Sequence, residues 1–160
     1  MNNHLQSALR PKRRLPAAAY REGRSALLTF CARERGSNVL TQSATAGEVG
    51  QAIRGLADHG EVYVWCVMPD HVHAIVRCAH GTDLLAWVRR VKGKVAARAR
   101  ALGVSRLWQR SFHDSIIRRE EDLVSAVRYV LHNPVRAGLV EHWSEWPHKG
   151  SLEWDLSAWV

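Results

Sequence analysis

Two histidines, two residues apart in a β-branched run, are the first part of this chain with an evident chemistry. The run is "VYVWCVMPDHVHAIVRC", residues 62 to 78, and it carries His71 and His73. Side chains alternate across a strand, so both imidazoles fall on one face. That arrangement suits two ligands on one divalent ion. Taken alone, such a pair is more often two hydrogen-bonded histidines on a half-exposed strand, because a metal needs further ligands. The segment "REEDLVSAVRYVLHN", 119 to 133, offers candidates. At about 100° per residue, Leu123, Val124, Val127, Val130 and Leu131 gather on one side, which must face a core. Tyr129 falls on the opposite side, with Asp122, Ser125 and Asn133 near it. Tyr129 and Asn133 stand at i and i+4, one turn apart. A phenol is a weak nucleophile unaided. A metal beside it helps by polarising a phosphodiester oxygen and by stabilising the charge that develops on phosphorus. Two histidines, a side-chain amide and a tyrosine make a coherent phosphoryl-transfer site with a covalent intermediate, if the two segments meet.

The surrounding elements must bring them together. "SALLTFCAR" (25 to 33) reads as a strand. A helix follows, with Thr45 and Glu48 at capping-box spacing and Val49, Ile53 and Leu56 at helical intervals. The histidine run divides at the turn pair Pro69-Asp70 into strands 62 to 68 and 71 to 78, an antiparallel hairpin. Residues 82 to 103 form a second helix, with an apolar stripe of Leu84, Leu85, Val88, Val91 and Val95. "LWQRSFHDSIIR" (107 to 118) is a fourth strand. The third helix opens with Glu120, Glu121 and Asp122 at its positive dipole end, and Pro134 stops it. Residues 142 to 160 are Trp-rich and without clear period. The order β-α-β-β-α-β-α predicts an α+β fold: a mainly antiparallel sheet of about four to five strands with helices packed on it. Trp65, Trp87 and Trp108 read as core, as do Cys66 and Cys78.

At 160 residues the chain fits one domain able to bury its own core. We expect a basic, flexible tail over 1–14, a catalytic domain over 15–150 and a C-terminal tail over 151–160. Lys and Arg number 23 against 15 acids, a net charge of +8, which attracts polyanions, nucleic acid before membrane. Three cysteines without C-x-x-C spacing indicate a reduced, intracellular protein. No run of apolar residues is long enough for a transmembrane helix, and the N-terminus lacks a secretory pattern.

"MPDHVHAIV" resembles the His-hydrophobic-His motif of the HUH nucleases. "LWQRSFHDSIIRREEDLVSAVRYVLHNPVRAGLV" is similar to the C-terminal half of the REP-associated tyrosine transposases, in the single-tyrosine IS200-like group. "NPVRAGLV" is the most specific piece, and "RLPAAAY" resembles the family's entry segment. The similarity runs from about residue 14 to 150. It implies an HUH-nuclease, ferredoxin-like arrangement and a metal-dependent single-stranded DNA endonuclease and strand transferase. His71, His73 and Asn133 would hold Mg²⁺ or Mn²⁺, and Tyr129 would become a 5′-phosphotyrosine. The implied substrate is a palindromic DNA hairpin with a short flanking sequence, held by basic residues among which Arg13, Arg14, Arg89, Arg90, Lys92 and Lys94 are candidates. The resemblance further implies a monomer, with a dimer open, in the bacterial cytoplasm at the nucleoid. A DNA-binding protein that has kept the fold and lost the chemistry is the alternative. "WSEWPHKGS" follows only loosely the family's Trp-Pro-Trp-Ser-Ser pattern.

Overall fold

Strand-forming sequence around the histidine pair builds the centre of one antiparallel sheet in the computed structural model, which describes residues 23–79 and 81–159. The strands are β1 (Ser25–Cys31), β2 (Gly60–Val67), β3 (His71–Cys78), β4 (His113–Ile116) and β5 (Lys149–Gly150), in the spatial order β4-β1-β3-β2-β5. The helices are α1 (Ser43–Arg54), α2 (Leu84–Ala101), α3 (Glu120–Leu131) and the short α4 (Asn133–Arg136). This is the expected α+β architecture, with the 69–70 turn where the hairpin required it.

The pleat divides the sheet between two apolar clusters. On one face Ala26, Leu28, Phe30, Trp65, Val72, Ala74 and Val76 pack with the buried residues of α1 and α2. On the other, Leu27, Tyr63, Val64, Cys66, Met68 and Ile75 pack under α3. A register shift between Val62 and Val64 lets Tyr63 and Val64 both join that second cluster. His71 and His73 share the parity of Ile75, so β3 presents them on the α3 side.

Several local expectations are corrected. Helix α1 begins at Ser43, so Thr45 lies within its first turn and forms no capping box. The buried Thr45 hydroxyl donates instead to the Val39 and Gln42 carbonyls, and Glu48 pairs with Arg98 of α2 at 3.2 Å. The fourth strand is four residues long. Its expected first half keeps only two backbone bonds at the end of β1, Arg33 N–H to Leu107 O (2.8 Å) and Gln109 N–H to Cys31 O (3.0 Å), and is tied to α2 besides: the Trp108 indole N–H donates to the Lys92 carbonyl (3.0 Å) and Lys92 Nζ donates to the Gln109 carbonyl (2.7 Å). Trp108 is half-buried, bridged to Ala32 and packed edge-on against Phe30 of β1 at 5.4 Å, whereas Trp65 and Trp87 are fully core residues. In α3, Val124 is 43% exposed and Ala126 is buried in its stead. Pro134 does not end the helical path. It occupies the first turn of α4, where a missing N–H costs nothing.

The Trp-rich end supplies the fifth strand, paired with Trp65 and Cys66. The Trp146 indole N–H donates to the Val67 carbonyl at 3.0 Å. Residues 151–159, set apart above as a tail, lie against the α3 side of the sheet, with Trp154 5.1 Å from both the Tyr63 and Trp159 rings. The cysteines are buried free thiols.

Gly150 is the tight point of this closure. A Cβ there would lie 2.2 Å from Cζ2 of Trp65, whose ring is sealed in the core. We expect Gly150→Ala to cost about 1–3 kcal/mol in denaturant unfolding. An unchanged midpoint would show that β5 does not close on Trp65.

Candidate active site

The His71 and His73 rings stand 4.8 Å apart, and the Tyr129 ring lies 6.2 Å from that of His73. Each histidine is held through Nδ1. Asp70 Oδ1 lies 2.6 Å from His71 Nδ1, and Thr29 Oγ1, across the β1–β3 ladder, lies 2.8 Å from His73 Nδ1. With Asp70 and Thr29 accepting, the proton of each ring sits on Nδ1 and Nε2 keeps a bare lone pair. Asp70 is itself fixed: the Gly36 N–H donates to Oδ2 (2.7 Å), and Arg35 Nε lies 3.3 Å from the same oxygen. Burial raises the Asp70 pKa, but the Gly36, His71 and Arg35 contacts outweigh it and hold the carboxyl below its usual value.

Burial also lowers the pKa of His71 against the pull of Asp70, with the Arg35 charge adding to the fall. It pushes His73 down to about 3, helped by the charges of His71, Arg136 and Arg35. Both rings are therefore neutral at pH 7, the form that binds metals.

Tyr129 comes from α3 and Asn133 from the first residue of α4. The sequence placed Tyr129 opposite the core. In the fold it is half-buried at the margin of the packed face, beside His73. The cause is a rotated helix: Ala126 packs inward and Val124 outward, which brings Tyr129 towards the sheet. Asn133 Oδ1 accepts from Arg136 Nη2 at 2.8 Å, and its Nδ2 is buried without a partner.

These residues fit a cation. Among the described residues, no three His, Cys, Asp or Glu side chains gather where they could hold a metal, so a site here needs the amide. Two bare imidazole nitrogens and one amide oxygen make up the donor set. Asn133 Oδ1 keeps a second lone pair beside the one that accepts from Arg136, and that lone pair is what the amide can offer an ion. Such a donor set leaves room for phosphate oxygens and water, as Mg²⁺ and Mn²⁺ prefer.

The other candidates lie elsewhere. Arg89, Arg90 and Lys94 are exposed on α2, which covers the opposite face of the sheet, and Arg90 Nη1 lies 2.9 Å from His59 Nε2. Lys92 ties down the loop after α2. Arg13 and Arg14 fall outside the described residues. Sequence reading missed three supporting residues. Asp70 passed as a turn residue, although an acid next to a candidate ligand is a signal. Arg136 stands at i+7 from Tyr129 and i+3 from Asn133, a row readable from spacing alone. Thr29 was beyond reach, because only the strand register brings it to His73.

Residues 25–133 match the model of the family described as "Transposase IS200 like". The chain belongs to that family. Over 89 residues it is 34% identical to the REP-associated tyrosine transposase of Escherichia coli (strain K12), covering 54% of this chain and 52% of the relative. A Haemophilus influenzae protein provisionally given the same description is 27% identical over 110 residues, covering 61% and 62%. The aligned segments thus span between half and two thirds of these curated relatives. A solved REP-associated tyrosine transposase, described as bound to a REP hairpin, superposes with a TM-score of 0.72 at 28% identity, over 88% of this chain and 82% of that one. A Deinococcus radiodurans structure bears on the fold alone, with TM-score 0.50 and 21% identity over 66% and 87% of the two chains. The resemblance seen in the motifs and the α+β arrangement both hold.

Two measurements test the histidine geometry. In chelator, His73 stays neutral in the fold, and the lowered pKa of His71 favours its neutral form too, while both take up protons in the unfolded chain below about pH 6.5. Stability should be full above that pH and fall as the pH drops through it, towards about 3 for His73. The expected slope is about 1.4 kcal/mol per pH unit for each proton. Denaturant unfolding from pH 7 to pH 5 should show a shallower slope in His73→Gln; an equal slope would contradict a buried neutral imidazole. Asp70→Asn should weaken Mn²⁺ binding about 10- to 100-fold by calorimetry, and undiminished affinity would remove Asp70 as the orienter of His71.

Proposed function

We propose that the chain is a metal-dependent single-stranded DNA endonuclease and strand transferase, acting on palindromic hairpin DNA through a 5′-phosphotyrosine at Tyr129. The observation that carries this reading is the convergence of His71, His73 and Tyr129 from β3 and α3, with ring separations of 4.8 and 6.2 Å. The family membership and the likeness to a hairpin-bound relative support it.

Each residue has a role. His71 and His73 hold the ion through Nε2, and Asn133 completes the protein's share through its amide oxygen. Bound there, Mg²⁺ or Mn²⁺ supplies charge that polarises the scissile phosphate. Tyr129 Oη forms the bond to phosphorus as the bond from phosphorus to the 3′-oxygen breaks. The phenolic proton leaves to solvent and the 3′-oxygen takes one up, so the step ends with a 5′-phosphotyrosine and a free 3′-OH. Because the phosphodiester energy is kept in that link, a second 3′-OH can reverse the step on another strand, which is strand transfer. The net charge of +8 draws the DNA in. We place this work in the bacterial cytoplasm at the nucleoid, carried out by a monomer. Among the described residues, no helix is long and apolar enough to cross a membrane.

The test is a labelled single-stranded hairpin oligonucleotide incubated with Mg²⁺ or Mn²⁺ and run on a denaturing gel. Cleavage and a protein–DNA adduct that survives denaturation are expected. Tyr129→Phe should lose the adduct entirely and keep hairpin binding. His71→Ala, or excess chelator, should abolish cleavage. A wild-type protein that binds the hairpin and never cleaves it would establish the binding-only alternative.

A further inference from the structure

Tyr129, Asn133 and Arg136 follow one another at i, i+4 and i+7, so they form one row across the join between α3 and α4. Arg136 is the residue that ties the row together. Its guanidinium carbon lies 4.0 Å from the centroid of the Tyr129 ring. Its Nη1 donates to the Tyr129 carbonyl at 3.0 Å, and its Nη2 donates to Asn133 Oδ1 at 2.8 Å. One planar cation thus touches the ring of the nucleophile, its backbone and the candidate third ligand. A guanidinium suits this task because its fork is rigid and its flat face packs on an aromatic ring.

The join needs such a brace. α3 ends at Leu131 with His132 as its cap, and α4 starts at once with Pro134 in its first turn. Tyr129 and Asn133 therefore sit on either side of a join, where the backbone alone leaves their side chains unoriented. The backbone bonds His132 N–H to Arg128 O and Arg136 N–H to His132 O cross the join, but they do not orient side chains.

We propose that Arg136 is a positioning residue for the nucleophile, clamping the Tyr129 ring and the Asn133 amide into one unit beside the histidine pair. This role rests on Tyr129 being the nucleophile. It predicts a loss in the rate of bond formation and not in substrate binding, because a misplacement of about 1 Å costs on the order of 100-fold in rate.

The experiment compares wild type with Arg136→Ala and Arg136→Lys in full-length protein. Three quantities are read: hairpin affinity in chelator, single-turnover adduct formation in Mn²⁺, and the ring signals of ¹³C-labelled tyrosine in the DNA-free protein, with Tyr129→Phe assigning the Tyr129 resonance. The alanine variant should form adduct on the order of 100-fold more slowly, with hairpin affinity kept. The Tyr129 ring signal should shift and broaden while that of Tyr63 stays. Lysine should not restore either property, because an ammonium cannot reach two acceptors and cover the ring together. An affinity loss as large as the rate loss would make Arg136 a phosphate ligand and overturn the positioning role. An unmoved Tyr129 signal would overturn it as well. If wild type forms no adduct while the ring signal moves as expected, the nuclease reading fails and the clamp stands as a structural contact.

Discussion

An imidazole offers a metal only the nitrogen that its other partners leave bare, so a histidine pair becomes a site only when something holds each Nδ1. In this chain that constraint is met from two directions. Asp70 comes from the turn that begins β3 and holds His71, and Thr29 comes from the neighbouring strand and holds His73. The antiparallel register of β1 against β3 is therefore what delivers Thr29 to His73. A slip of one residue would turn Thr29 to the other face and leave His73 buried without a partner.

The two faces of the sheet divide the labour. The α1 and α2 face is almost wholly apolar and carries the larger share of the core. The α3 face carries the candidate site: Tyr129 packs at the edge of its apolar cluster, with the His73 ring beside it and the His71 ring next to that of His73. Desolvation at that edge keeps the two rings neutral, and neutral rings are ligands. The Trp-rich end of the chain closes the β2 edge, so the fifth strand shields the sheet from pairing elsewhere.

The parts of this picture that were legible in sequence are those governed by local periodicity. The hairpin showed in its β-branched run and turn, the long helix in its stripe, and the histidine pair in its spacing. The misreadings arose where tertiary contacts outweighed local preference. Thr45 and Glu48 have the spacing of a capping box, but the hydroxyl is buried against carbonyls before the helix and the carboxylate is drawn to Arg98. The segment before β4 has strand propensity, yet α2 captures it through Lys92 and Trp108. Val124 sat on the apolar stripe of α3, and a small rotation of the helix exchanged it for Ala126, whose small side chain allows close approach to the sheet.

That rotation also decided the place of Tyr129. The sequence by itself determined the residue types and their order: two histidines with a shared face, a tyrosine and an amide one turn apart, and motifs specific enough to indicate the family. It could not set the phase of α3 against the sheet, because helical periodicity defines a stripe only to within a residue or so of arc. Nor could it supply Thr29 or the embrace of Tyr129 by Arg136, since these depend on strand register and on how two helices join. Only the tertiary structure brought the Tyr129 ring to 6.2 Å from His73, because burial of Leu123, Ala126, Val127 and Val130 pins the helix at one rotation and carries Tyr129 with it.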